Sequence, residues 1–186
     1  MLSRKRRIDI CEKRSEQKCR NELESILPGV QSIQKFIEQN RIEAKILILP
    51  PESTRTSALA AESIGCNVAE IAKSIGFFDP SNNGAILVIL SGDKRVNLEK
   101  LSNSLGTSEQ KALRKMTAEE VKSATGYSIG AVPPFAHDSY VRVLVDTSLF
   151  RFPHVWVAAG SSNSVMQIEP AVLTERLGLP KVDVSS

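Results

Sequence analysis

Two apolar runs, Lys73–Phe78 and Ala85–Leu90, flank the cluster Asp79-Pro80-Ser81-Asn82-Asn83-Gly84. Six turn-forming residues between two strand-length runs read as a hairpin loop. The connection is too short for the helical crossover that joins parallel neighbours. The two runs are therefore expected to pair antiparallel, and they anchor the rest of the reading.

Other segments show helical or strand periodicity. Val30, Ile33 and Ile37 share one helical face, with Phe36 one face over, and Pro28-Gly29 opens that segment, which predicts a helix from Val30 to Ile42. Lys45–Leu49 is a short strand stopped by Pro50-Pro51. Thr54 or Thr56 can cap the Ala-rich helix Ser57–Ile64, which Gly65 ends. Leu98, Leu101 and Leu105 form a helical face closed by Gly106, and Thr117-Ala118-Glu119-Glu120 is a capping box opening Ala118–Ala124. Val141–Asp146, Val155–Ala159 and Val165–Ile168 read as strands, and Pro170 opens a final helix through Leu177. Helices and strands alternate, yet many connections are hairpin-short. The expected fold is α/β of the α+β type, a mixed, mostly antiparallel sheet surrounded by helices.

A chain of 186 residues has room for one domain with a sizeable core. Its charge is uneven: eight of the 24 Lys/Arg and five of the 21 Asp/Glu fall in residues 1–25, leaving sixteen of each elsewhere. Residues 1–25 read as a basic arm, a frayed helix or disordered segment, ahead of one domain at 26–186. The neutral body is not a bulk phosphate binder. No apolar run approaches the roughly 18 residues that span a bilayer, and no signal or transit peptide is visible. Three cysteines in odd number suit a reducing compartment, the cytoplasm. Cys11, Cys19, Cys66, His137 and His154 lack metal-ligand spacing, so neither a metal nor another cofactor is expected.

No phosphate-binding glycine loop and no Gly-x-Ser-x-Gly elbow is present. Cys66 follows a helix-ending glycine and reads as an inert thiol; His137-Asp138 reads equally as an acid–base pair or a polar loop tip. What remains is a set of short motifs in order: Glu52-Ser53-Thr54-Arg55-Thr56, Ile71-Ala72-Lys73-Ser74, Ser91-Gly92-Asp93-Lys94-Arg95-Val96, Thr125 to Pro134, Val143-Leu144-Val145-Asp146, and Val155 to Ser161. These resemble the YbaK/ProX family of aminoacyl-tRNA deacylases, related to the editing domain inserted in bacterial prolyl-tRNA synthetases. The likeness spans about residues 30–180.

The resemblance implies a single domain of YbaK-like fold that hydrolyses the ester between a wrong amino acid and the tRNA terminal adenosine. It places Lys73 at the family's essential lysine, Gly130-Ala131-Val132-Pro133-Pro134 at its Gly-x-x-x-Pro loop and Gly160-Ser161 at its Gly-Ser turn. The implied substrate site comprises Ser74, Gly130, Pro134, Phe135, His137, Gly160 and Ser161, with Pro133, Pro134 and Phe135 walling a pocket for a small acyl group. Misacylated tRNA, of the proline type, is the implied partner, with prolyl-tRNA synthetase as a second. An activated ester needs positioning and charge stabilisation more than a strong nucleophile. Lys73 would orient the ester or terminal phosphate, and no general base is evident. The rival reading is a non-catalytic module of the same fold that holds an RNA end or a synthetase.

Overall fold

The computed structural model describes residues 28–106 and 113–186, so the arm at 1–25 lies outside the described residues. The chain runs α1 (Pro28–Gln39), β1 (Lys45–Ile48), α2 (Ser57–Ile64), β2 (Ala72–Asp79), β3 (Gly84–Ser91), α3 (Leu98–Leu105), β4 (Arg114–Lys115), α4 (Ala118–Thr125), β5 (Arg142–Asp146), β6 (Val155–Ala158), β7 (Ser164–Ile168) and β8 (Lys181–Val182). The expected hairpin forms: β2 and β3 pair antiparallel from Ala72 opposite Ser91 to Asp79 opposite Gly84. Asp79 fixes the turn, accepting hydrogen bonds from the Ser81 N–H at 3.0 Å and the Asn82 side chain at 2.9 Å.

The strands divide between two sheets, a five-stranded one ordered β4-β2-β3-β5-β8 and a three-stranded one ordered β1-β7-β6. Among the strands of the described residues, β3–β5 and β5–β8 pair parallel and the other four pairings are antiparallel. This is the mixed, mostly antiparallel arrangement expected. A parallel bridge between Ile71 and Trp156 ties the sheets together.

β3 lies between two layers, and its alternation shows it. Leu87 and Ile89 face the core beneath α1 with Ile33, Ile37, Val143, Val145 and Met166. Ile86, Val88 and Leu90 face the opposite core with Phe77, Leu101 of α3, Leu144 and Val184. A third cluster, Leu49, Ala60, Ala61, Ile71, Trp156 and Val165, packs under α2. Asp146 is fully buried at the end of β5 and accepts from the Ser148 and Val184 N–H groups, both at 2.9 Å. Burial alone raises its pKa, but these hydrogen bonds outweigh burial and hold the carboxyl below its ordinary value.

Two helices depart from their expected bounds. α1 stops at Gln39 rather than reaching Ile42, because Arg41 adopts a left-handed φ of 52° that closes the helix. The final segment does open at Pro170, but Val172–Arg176 winds as a wide π-type turn, with the Leu177 N–H donating to the Val172 carbonyl at 3.1 Å. No helix among the described residues is long and apolar enough to cross a membrane.

Candidate active site

A cleft of about 370 Å³ opens between the two sheets, and the strand pattern explains its position. β4 covers β2 only at Phe77 and Phe78. The first half of β2 is left as an edge facing β6 and the loop 129–132. Ala72, Lys73, Ser74 and Ile75 of β2 line one wall, and Trp156, Val157 and Ala158 of β6 another. The segment 54–57 and Ala60 of α2 form the third side, with Ile129, Gly130 and Val132 over the opening. Thr56 caps α2, its hydroxyl accepting from the Leu59 N–H at 3.2 Å, so the helix's partly positive N-terminal turn borders the cleft.

Lys73 is half-buried at the start of β2, and its Nζ donates to the Lys94 carbonyl. Burial pushes the ammonium below its ordinary pKa, Asp93 pulls it back, and Arg95 and Lys115 push it further down. The turn that receives Lys73 is clamped. Arg151 grips Asp93 through two hydrogen bonds, at 2.8 and 3.1 Å, and also donates to Ser91 Oγ at 2.8 Å and through Nε to the Ser148 carbonyl at 2.8 Å. The Arg151 hydrogen bonds hold the Asp93 carboxyl down at about 2. Ser91 Oγ in turn donates to the Ala69 carbonyl. Gly92 permits the turn, because a Cβ there would collide with the Val68 and Ile71 carbonyls.

The structure brings three of the anticipated site residues to this cleft: Lys73, Ser74 and Gly130. Ser74 Oγ donates to the Val132 carbonyl at 2.8 Å and so ties the Gly130–Pro134 loop to β2. Gly130 has φ +85° with open space where a Cβ would stand. The others lie elsewhere. Phe135 does not wall the cleft: it is buried and stacked on Phe36 of α1, ring centroids 4.6 Å apart. Pro134 is buried beside it, and His137 donates from Nε2 to the Pro133 carbonyl at 2.8 Å, with burial lowering its pKa. These residues set the shape of the loop behind the cleft. Gly160 packs its backbone on that of Gly29, and its N–H donates to the Ala131 carbonyl at 3.2 Å, so this N–H braces the loop. Ser161 is engaged within its own turn, bonding Asn163 at 3.1 Å, while Ser162 and Ser164 reach the cleft.

The residues that sequence reasoning gave no role are Arg151, Ile129 and Trp156. An arginine at the end of a short helical turn after a strand carries no local sign that it clamps a turn 58 positions earlier. Ile129 is 61% exposed at the rim, an unusual place for a large aliphatic side chain. Trp156 had appeared within a motif, without a task. Among the described residues, Arg55 and Lys73 are the only charged side chains lining the cleft, and no carboxylate or histidine lines it.

A chain with this fold and this lysine-bearing cleft belongs to the aminoacyl-tRNA editing domain family: the family model matches residues 51–175. Among its relatives, uncharacterized protein YwhH of Bacillus subtilis (strain 168) is 37% identical over 125 residues, covering 66% of this chain and 75% of that protein. A proline–tRNA ligase of Thermosipho africanus (strain TCF52B) is 31% identical over 94 residues, covering 50% of this chain but 16% of the ligase. The crystal structure of a candidate trans-editing enzyme for prolyl tRNA synthetase superposes with a TM-score of 0.76 at 32% identity, covering 87% of this chain and 99% of that one.

Proposed function

We propose that this protein is a trans-editing aminoacyl-tRNA deacylase that releases a small, wrongly attached amino acid from a proline-type tRNA in the cytoplasm. The observation that carries the reading is Lys73: a cation held by a clamped turn at the wall of a cleft that has no competing acid. In the reaction, water adds to the ester carbonyl, the bond from acyl carbon to ribose oxygen breaks, and the proton released from water goes to the ribose oxygen. The products are the free amino acid and tRNA with an intact terminal ribose. Lys73 stabilises negative charge on the carbonyl oxygen or holds the terminal phosphate; it forms no covalent bond. No side chain of the cleft is suited to take a proton, so the attacking water relies on the substrate's own hydroxyl and on positioning.

The apolar part of the cleft, Ala60, Ile71, Trp156 and Val165, suits a short side chain such as that of alanine, cysteine, serine or 2-aminobutyrate. A pocket lined by an indole selects by size in one direction, excluding larger groups sterically without rejecting smaller ones. The test is release of amino acid from a panel of misacylated tRNAs by the purified protein. Release of small residues and sparing of bulky ones is expected; no release from any member would leave the non-catalytic binding module as the better reading.

A further inference from the structure

Adjoining the acyl cleft, and sharing Lys73 and Ile75 with it, lies a second groove of about 300 Å³. Its floor is apolar, from Ile75, Leu90 and Val96, and its rim carries Lys94, Arg95 and Lys115. Lys73 lines both grooves. No carboxylate lines this groove, and among the described residues none forms an ion pair with Lys94, Arg95 or Lys115. The neighbouring Asp93 is occupied by Arg151. The rim is also rigidly placed. Arg95 exchanges backbone hydrogen bonds with Ser186, at 3.3 and 3.0 Å, and Lys115 sits on β4, in register with Phe77 of β2. Like charges gathered in one place cost stability; burial is the main cause of the lowered pKa of Lys73, Asp93 opposes it, and Arg95 and Lys115 add to it. Such a cluster is relieved by an anionic ligand.

We propose that this groove binds the phosphodiester backbone of a single-stranded RNA 3′ end, upstream of the ester held in the acyl cleft. The inference rests on the deacylase reading for the identity of the ester but adds a direction: the acyl group points toward Trp156, and the preceding phosphates pass over Lys73 toward Lys94, Arg95 and Lys115. Residues 26–186 carry sixteen charges of each sign, so the cations of this groove are not part of a general excess of positive charge. A narrow groove with three cations and an apolar floor suits two or three consecutive phosphates and their riboses.

The test uses uncharged RNA, so it is independent of chemistry. Binding of a 5′-fluorescein hairpin with a four-nucleotide ACCA-3′ tail is followed by anisotropy over a salt series, beside the same hairpin with a blunt end. The full chain is compared with K94Q/R95Q/K115Q and with the control K35Q, thermal melts verifying that all are folded. For single strands the salt slope is about 0.7 per neutralised phosphate, so the triple variant should flatten the slope for the tailed hairpin by about 2. It should also weaken binding at low salt by more than tenfold, and K35Q should match the unaltered chain. The blunt hairpin should bind all three proteins alike. An unchanged slope, equal losses for blunt and tailed hairpins, or no preference of the unaltered chain for the tail would each overturn the groove. Failure of the deacylase reading looks different: the tail binds through these cations, yet no misacylated tRNA is hydrolysed.

Discussion

At the scale of single residues, the site depends on a few backbone and side-chain positions whose roles separate cleanly. Gly130 holds φ +85° at the mouth of the cleft with nothing near its missing Cβ. Gly130→Val should therefore cost on the order of 1–3 kcal/mol in backbone strain and lower deacylation, while Ser128→Ala leaves both unchanged. Equal activities for the two variants would reduce Gly130 to a turn residue. Asp146 is a structural counterpart. Asp146→Ala strands two buried N–H groups, those of Ser148 and Val184. At about 1–3 kcal/mol for each unsatisfied donor, urea denaturation should show a loss of roughly 2–6 kcal/mol. The placement of Lys73, Ser74 and Gly130 at one cleft was anticipated only through the resemblance of their motifs to the family, since a lysine at a strand start or a glycine in a loop carries no local sign of a site. Phe135 was read as a pocket wall from its place after two prolines. Its direction is decided by Phe36, about a hundred positions earlier, and no local pattern reports that contact.

At the scale of elements, the β2–β3 hairpin and the capped helices were legible because their signals are local: a turn cluster, a capping box at Thr117, glycines at φ 80°, 70° and 83° after α2, α3 and α4. β4 and β8 were not, since two residues carry no periodicity and exist as strands only through their neighbours. The parallel pairing of β3 with β5 was equally hidden, because it joins segments more than fifty residues apart. The turn 91–95 belongs to this scale as well. Its clamp reaches it from the helical turn after β5, through Arg151. Arg151→Ala should release the turn, free Lys73 from a fixed carbonyl and lower kcat at least tenfold, about 1.4 kcal/mol in barrier. KM should change less, because the variant removes no substrate contact. Steady-state kinetics check this, and a variant with kcat intact would show that the clamp serves stability alone.

For the whole molecule, acid should be the first condition to loosen the structure. Asp93 and Glu120 are each held at about 2 in the folded protein, by Arg151 and Arg114 respectively, against ordinary values of 3.8 and 4.5. Depressed carboxylates contribute stability that is present above the ordinary values and lost as pH falls toward 2. For Asp93, about a third exposed, solvent screening limits this to about 1 kcal/mol. The urea midpoint should therefore hold steady near neutrality and fall between pH 5 and pH 2, with Asp93→Asn flattening part of that fall. The two sheets, the cleft between them and the cation at its wall form one arrangement, and the proposed function rests on Lys73. The direct measurement is single-turnover deacylation of alanyl-tRNA of the proline type by the full chain and by Lys73→Ala, with thermal melts of both. The account predicts loss of hydrolysis beyond tenfold, more than about 1.4 kcal/mol of transition-state stabilisation, with the melting temperature almost unchanged. Retention of more than a tenth of the unaltered rate by a folded Lys73→Ala variant would contradict it.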